Sequence, residues 1–305
     1  MNSLTKVMIS PHIHSGNSTA GVMRDVIISL LPATVAGALI FGVNALLPIL
    51  VCVVCCVGFE AIFNALAKKT QTVGDLSAAV TGLLLGLNLP ANIPLWQCAV
   101  GSLFAIVVVK CIFGGIGCNI VNPAITARVF MLVAFDALAV SSFPVDSVAS
   151  ATVLSGGTMP SLMDNLLGNY GGSIGETCTL ALIIGGVYLL IRRVITWHIP
   201  VMFIGTVFVF SLFVTGFDVA AALSLTMAGG VFIGAIFMAT DYVTSPFTAW
   251  GKVIFGFGAG ILTCLIRYYG TYPEGVSYAI LFMNILTPYI NVWTRHKIFA
   301  SGGKK

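Results

Sequence analysis

The feature that most constrains this chain is a succession of long apolar runs with few charged residues between them. A helix that crosses a lipid bilayer needs about 20 apolar residues, and several runs here approach that length. Only 8% of the residues are charged, whereas soluble domains contain roughly 25%. This composition excludes a soluble enzyme, a disordered chain and a nucleic-acid-binding protein. We therefore expect an all-α polytopic membrane protein that contacts lipid.

Apolar runs and the residues that break them predict about ten transmembrane segments. These segments span residues 22–43, 45–67, 76–90, 93–113, 123–140, 178–193, 198–215, 217–240, 251–270 and 275–294. The third and eighth are predicted to be broken helices, because they are interrupted at Gly82, Gly86 and Pro90 and at Gly229, Gly230 and Gly234 respectively. Residues 1–20 lack an apolar core long enough for a cleavable signal peptide.

The positions of the basic residues predict the orientation. With a cytoplasmic N-terminus, ten spans place thirteen of the 14 Lys and Arg residues inside and only Arg267 outside. Cytoplasmic loops of membrane proteins carry an excess of Lys and Arg, so this split favours both the orientation and the number of spans. The longest loop is then external, and its charges are acidic: Asp146, Asp164 and Glu176.

Five spans in each half predict that two homologous halves would be inverted in the membrane. A weak internal similarity supports this arrangement: residues 81–94 resemble 229–246, and residues 110–124 resemble 267–280. We expect the following organisation: a cytoplasmic segment 1–21, a first repeat 22–140, an external loop 141–177, a second repeat 178–294 and a basic cytoplasmic tail 295–305.

Ionisable and polar residues within apolar segments are functional candidates, because they are costly in a membrane. Glu60 is expected to bind a cation, to lie near the membrane interface or to pair with a neighbouring span. Arg128 is expected to meet a negative group or to anchor at the inner interface. Asp241 follows the broken eighth segment, where it either binds a ligand or ends the helix. Asn122 precedes Pro123, a combination typical of a helix start, and a ligand-binding role is the alternative.

Other residues point to no further chemistry. Cys52, Cys55 and Cys56 lie within one span without a nearby histidine, which favours small packing residues over a metal or redox role. The pair His12 and His14 has no evident third ligand, so no metal site is predicted. No nucleotide-binding or hydrolase motif is present, and no catalytic residue is predicted.

The external loop contains two threonines, Thr152 and Thr158, that precede apolar stretches. A threonine hydroxyl can form a phosphoester and so tether a phosphate-bearing cofactor. Composition alone predicts only a linker rich in Ser, Thr and Gly.

Six motifs, in this order and spacing, resemble the D subunits of Rnf electron-transport complexes and the related B subunits of sodium-pumping NADH:quinone reductases. They are SPHIHSG (10–16), LSAAVTGLLLGLNLP (76–90), GGIGCNIVNPA (114–124), WHIPV (197–201), TDYVTSP (240–246) and IRYYGTYPEGVSYAILFMNILTP (266–288). The resemblance runs nearly from end to end.

The resemblance implies a flavin mononucleotide (FMN) esterified through its phosphate to a loop threonine. Residues 146–154, DSVASATVL, fit the family motif best and indicate Thr152, although Ala149 and Val153 depart from it. The neighbouring SGGT (155–158) leaves Thr158 as the alternative acceptor. A second flavin, free riboflavin, is known in relatives, and Asn122 and Asp241 are candidates for its pocket.

The function implied is that of a subunit passing electrons between ferredoxin and NAD, coupled to Na⁺ or H⁺ translocation, in the bacterial inner membrane. Implied partners are further membrane subunits, an external FMN-carrying G subunit, and iron–sulfur and NAD-binding subunits. The alternative class is a small-solute channel or transporter without flavin, because inverted repeats with broken helices suit that class equally well.

Overall fold

A computed structural model of the protein describes residues 18–135, 161–270 and 275–295. All regular secondary structure within these ranges is helical. Thr152 and Thr158 lie outside them, and so do His12 and His14.

The first half contains five apolar helical segments. They are α1 (Thr19–Phe41), α2 (Leu46–Leu66), α3 (Ser77–Leu87), α4 (Leu95–Leu103) with its π-helical continuation Phe104–Cys111, and α5 (Pro123–Ala134). Short 3-10 turns, Val43–Ala45 and Val73–Asp75, precede α2 and α3.

The second half begins with a short helix and continues with five apolar segments. They are α6 (Leu162–Leu167), α7 (Thr179–Ile191), α8 (His198–Val214), α9 (Val219–Met227), α10 (Val231–Ile233) with its π-helical continuation Gly234–Met238, α11 (Ala249–Tyr269) and α12 (Val276–Thr294).

Helix lengths and composition support a multi-pass membrane protein. Within the described residues four helices are long and apolar enough to cross a bilayer, and α9 with α10 forms a fifth candidate bent by 66°. Five further apolar helices are shorter. These ten elements coincide with the ten predicted segments. Large apolar side chains such as Leu39, Val54 and Ile191 are exposed on the outer faces, where lipid would cover them.

Local capping explains where several helices begin. The side chains of Ser18, Asp218 and Thr248 accept hydrogen bonds from the first-turn N–H groups of α1, α9 and α11. At α5, Asn122 Oδ1 accepts from the Ala124 and Ile125 N–H groups at 3.0 and 3.4 Å. The predicted Asn122-Pro123 helix start is therefore confirmed.

The two predicted helix breaks differ from each other. Gly229, with φ of +73°, lies between α9 and α10, so this break falls where it was expected. In contrast, Gly82 and Gly86 do not interrupt α3, which ends only at Leu87. A Cβ at Gly82 would lie 2.7 Å from the Cys52 carbonyl oxygen, so this glycine serves close helix packing against α2.

Residues 172–177, which belong to the predicted external loop, are folded back into the protein. They are buried, and their backbone is held at the end of α3. Ile174 N–H donates to the Leu89 carbonyl at 3.1 Å, and Gly175 N–H donates to the Leu87 carbonyl at 2.7 Å. This segment, α3, α5 and the α9–α10 break meet at the centre of the molecule.

Candidate functional site

A cavity lies between elements of both halves, with about 790 Å³ of empty space including its open end. Ligand pockets are mostly apolar and furnished with a few convergent polar groups. The apolar walls here include Leu84, Leu189 and Phe237. The polar groups come from Ser77, Thr81, Lys110, Asn119, Asn122, Thr240 and Asp241. The two residues predicted for a pocket, Asn122 and Asp241, therefore line the same cavity.

Asn122 joins the two halves of the chain at this cavity. While its Oδ1 caps α5, its Nδ2 donates to the Met238 carbonyl at 3.1 Å. Met238 is the last residue of the π-helical segment after α10. One asparagine side chain thus caps a helix of the first half and fixes the broken helix of the second.

Asp241 lies in the loop that follows this segment. Thr244 Oγ1 donates to Asp241 Oδ2 at 3.1 Å. Burial raises the pKa of the Asp241 carboxyl, and hydrogen bonds from Thr244 and the Val243 N–H oppose that shift. Thr287 of α12 donates to the Thr244 carbonyl at 2.9 Å, which fixes the loop to the last helix. Asp241 is therefore held in place at the cavity wall.

Lys110, in the π-helical continuation of α4, forms a buried ion pair with Glu60 of α2. Its Nζ lies 2.9 Å from both Glu60 carboxylate oxygens and donates to Ser77 Oγ at 2.6 Å. Thr72 Oγ1 donates to Glu60 Oε1 at 2.6 Å. Of the three interpretations of Glu60, the structure supports pairing with a neighbouring helix. The ammonium uses all three of its donors within the protein.

A second buried ion pair lies at the centre of the molecule. Arg128 of α5 is 3% exposed and Glu176 is 4% exposed. Arg128 Nη2 lies 3.7 Å from Glu176 Oε2, and Nη1 donates to Asn88 Oδ1 at the end of α3. Glu176 Oε1 accepts from the Ser173 N–H at 3.0 Å. Arg128 therefore meets a negative group, as one of its two interpretations required.

These buried pairs change the charge argument for orientation. Lys110 and Arg128 are internal, so they are not loop charges, and eleven of the thirteen predicted inner cations remain. Arg267 donates to the Leu225 and Ala228 carbonyls at 3.2 and 3.0 Å, at the end of α9. Glu176 is buried and paired with Arg128, so it is not a loop charge either.

The cysteines support the packing interpretation. All eight are free thiols, and Cys52 and Cys56 are fully buried. Across the three described ranges no cluster of three His, Cys, Asp or Glu residues could hold a metal ion. At the end of α7, Arg192 pairs with Asp25 of α1 at 3.0 Å. At the start of α8, the His198 ring stacks on Trp197.

The structure thus joins two predicted pocket residues and adds two ion pairs that the sequence did not assign. Glu60 and Lys110, and likewise Arg128 and Glu176, lie about 50 residues apart in sequence. No local pattern links such partners. The rarity of charges within apolar segments was the only available signal, and it marked Glu60 and Arg128 correctly as positions to examine.

Within the described ranges, ten apolar helical elements and a mainly apolar cavity between the halves define the class, a multi-pass helical membrane protein. Comparison with known families is more specific. The chain belongs to the NQR2, RnfD, RnfE family, whose model matches residues 6–300.

Individual relatives match over almost their whole length. The chain is 45% identical to the D subunit of the Na(+)-translocating ferredoxin:NAD(+) oxidoreductase complex of Acetobacterium woodii, covering 98% of this chain and 97% of the relative. It is 40% identical to the D subunit of the proton-translocating ferredoxin:NAD(+) oxidoreductase complex of Clostridium ljungdahlii, covering 96% and 95%. It is 36% identical to the D subunit of an ion-translocating oxidoreductase complex of Marinobacter nauticus, covering 95% and 94%.

Proposed function

We propose that this chain is a membrane flavoprotein subunit of an Rnf-type complex that passes electrons between ferredoxin and NAD, coupled to cation translocation. The observation that carries the proposal is the end-to-end match to D subunits of such complexes. Two of these relatives differ in the cation that they are named for, so the proposal covers Na⁺ or H⁺. The partners are the other membrane subunits, an external FMN-carrying G subunit, and the iron–sulfur and NAD-binding subunits, in the bacterial inner membrane.

The covalent flavin is assigned to Thr152, with Thr158 as the alternative acceptor. FMN bound non-covalently would need Lys, Arg or a helix N-terminus to hold its phosphate. The predicted loop 141–177 contains no Lys or Arg, and the N-terminus of its helix α6 is already capped by Ser161 and carries the acidic Asp164. A phosphoester requires only a hydroxyl and keeps the isoalloxazine at the membrane surface. The flavin supplies the redox chemistry, and the protein supplies position and electrostatics.

The cavity is assigned to a second flavin, riboflavin. Its apolar walls suit an isoalloxazine ring, and Asn119, Asn122 and Asp241 offer polar groups for the ring edge. Lys110 is the cation among the lining residues, and Glu60 already neutralises it. This electrostatic balance favours a ligand without a phosphate.

The covalent site is tested by in-gel flavin fluorescence of the full chain after denaturation. Thr152→Val is nearly isosteric and should abolish the fluorescence, while Thr158→Val should leave it unchanged. The opposite pattern would move the acceptor to Thr158. Fluorescence retained in both variants would refute covalent attachment at these residues and favour the channel alternative.

The cavity site is tested by measuring how much flavin is released when the Thr152→Val protein is denatured. This variant should carry no covalent flavin, so the flavin released comes from a non-covalent site. Riboflavin should be released in near-stoichiometric amount, and Leu84→Trp should reduce it because the indole occupies the cavity. Leu47→Trp is the matched control, since Leu47 is exposed on the outer face of α2. Equal release from both Trp variants would exclude this cavity as the site.

We also propose that the ten helical elements are ten spans arranged as two inverted repeats. Lys110 and Arg267 support this arrangement. Lys110 donates to Ser77 at the start of α3, and Arg267 donates to backbone carbonyls just before α10. Lys110 thus lies at the start of α3, the first helix predicted to be broken. Arg267 lies at the corresponding place in the second half, just before α10. In an experimental structure, superposition of the second repeat on the first, after inversion, provides the test.

A further inference from the structure

The cavity ends one helical turn short of the central ion pair. Leu84 and Ala124 line the cavity, and Asn88 and Arg128 follow each of them by four residues on α3 and α5. Residues four apart lie on the same helix face, separated by about 6 Å along the axis. Asn88 and Arg128 therefore lie one helical turn beyond the residues of α3 and α5 that line the cavity.

Five residues form a layer at this level. Arg128 contacts Asn88 and lies 3.4 Å from Ser173 Oγ through Nη2. Glu176 approaches Arg128 to 3.7 Å and is held by the Ser173 N–H. Gly230 completes the layer, because a Cβ added there would lie 3.3 Å from Glu176 Oε2 and 3.5 Å from Arg128 Nη1. We call these residues, Asn88, Arg128, Ser173, Glu176 and Gly230, the central layer.

The central layer adjoins the cavity and the non-helical segment 172–177. The cavity extends toward the exposed residues Ile116 and Tyr242. Residues 161–171 lead into the buried segment 172–177, which contributes Ser173 and Glu176 to the layer. The Leu87 and Leu89 carbonyls hold this segment against the end of α3. Non-helical backbone within the hydrocarbon region of a membrane must be buried in protein or line a water-filled space. Segment 172–177 is buried in protein.

We propose that the central layer is the permeability barrier of this subunit: the Arg128–Glu176 pair seals the passage between the cavity and the opposite face. In a bundle with broken spans, this crossing is the position where a solute path would run. The two side chains fill it and neutralise each other. A subunit of a complex that builds an ion gradient needs such a seal, because a water-filled path would dissipate the gradient. The seal rests on the proposed function but does not depend on flavin binding.

The test is passive ion entry into liposomes that contain the purified full chain. Proton entry is followed with enclosed pyranine after an acid jump, and sodium entry with ²²Na⁺. The double variant Arg128→Ala/Glu176→Ala removes both charges together, so no unpaired charge remains buried. We expect ion entry to rise by about tenfold or more over wild type, which corresponds to a barrier lowered by about 1.4 kcal/mol.

Two further double variants separate loss of the seal from a general effect on the fold. Arg128→Met/Glu176→Met keeps comparable side-chain volume without charge and should remain tight, because the passage stays filled. Asp25→Ala/Arg192→Ala removes an ion pair that lies outside the central layer, where the Arg192 side chain is 53% exposed, and it should also remain tight.

The proposal is overturned if Arg128→Ala/Glu176→Ala is monodisperse and as tight as wild type. If that variant does not fold, Asn88→Ala decides the matter, because it opens the layer while both charges remain paired. A leak in Asn88→Ala supports the seal, and tight vesicles refute it. Fluorescence of the covalent flavin is read separately, so loss of the flavin assignment and loss of the seal give different results.

Discussion

At the scale of single residues, the two buried ion pairs hold helices together that are distant in sequence. Glu60 is 1% exposed and Lys110 is 3% exposed, and each lies on a different helix. Burial of two charges is costly, and a pair is tolerated when hydrogen bonds satisfy both ions. Thr72 and Ser77 provide those hydrogen bonds here. The pair therefore contributes more to selecting one packing of α2, α3 and α4 than to net stability.

Removing one member of this pair should be far more damaging than removing both. Lys110→Met leaves Glu60 as an uncompensated buried charge, and should destabilise the protein by about 3–5 kcal/mol. Lys110→Met/Glu60→Leu should recover most of that loss, because both ions are replaced by apolar groups. Denaturant unfolding in detergent, followed by circular dichroism, measures both effects.

Arg192→Met serves as the control for the same kind of change. Arg192 pairs with Asp25, but the Arg192 side chain is 53% exposed and Asp25 keeps a hydrogen bond from the Tyr188 hydroxyl. The loss should therefore be smaller than that caused by Lys110→Met. If Lys110→Met cost no more than Arg192→Met, the Glu60–Lys110 pair would have no special role in the fold.

At the scale of helices, the sequence predicted where elements lie better than how they pack. All ten predicted segments correspond to helical elements, because apolar runs and their breakers are local signals. Glycine has two uses that a single sequence does not separate. At Gly229 it permits a positive φ and a break, whereas at Gly82 and Gly86 it permits close approach to α2.

Packing through Gly82 gives a prediction with an internal control. A Cβ there would lie 2.7 Å from both the Cys52 carbonyl oxygen and Val53 Cα, and backbone atoms cannot move aside cheaply. Gly82→Ala should therefore destabilise the protein by about 1–3 kcal/mol through overpacking.

Gly58→Ala, in the facing helix α2, is the matched control. No atom lies within 4 Å of the added Cβ, so the higher helix propensity of alanine should stabilise the protein by up to about 1 kcal/mol. Thermal unfolding of both variants in the same detergent measures the difference. Equal melting temperatures would show that α2 and α3 do not pack as closely as described.

At the scale of the whole molecule, the site was predicted in part. Asn122 and Asp241 were chosen separately, one as a helix start and one as a ligand candidate after a broken segment, and both line the cavity. The central layer was not predicted. Its residues come from four separate parts of the chain, and Glu176 was assigned to the external loop because residues 141–177 lie between two predicted spans. Long-range pairing carries no local sequence signal.

The cavity also supports the predicted sidedness. Its lining includes Met23 near the start of α1, Ser77 at the start of α3, and Val194 after the end of α7. The turns that contain Lys69 and Arg193 adjoin the last two positions, so they lie at the same end of the molecule. The Arg192–Asp25 pair fixes the end of α7 to the start of α1 at this end as well.

Reporter fusions therefore test both the number of spans and their orientation. Fusions of a cytoplasm-active and an exported-active reporter after Lys69 and after Arg193 should both indicate the cytoplasm, because basic residues cluster in these turns. A fusion after Asn169, between α6 and α7, should indicate the opposite side. The reason is that an odd number of proposed spans separates Asn169 from each of the other two sites: α3, α4 and α5 lie between Lys69 and Asn169, and α7 alone lies between Asn169 and Arg193. An exported signal at only one of Lys69 and Arg193 would mean that one apolar helix does not cross the membrane. Exported signals at both sites, together with a cytoplasmic signal at Asn169, would show that the whole molecule has the opposite orientation.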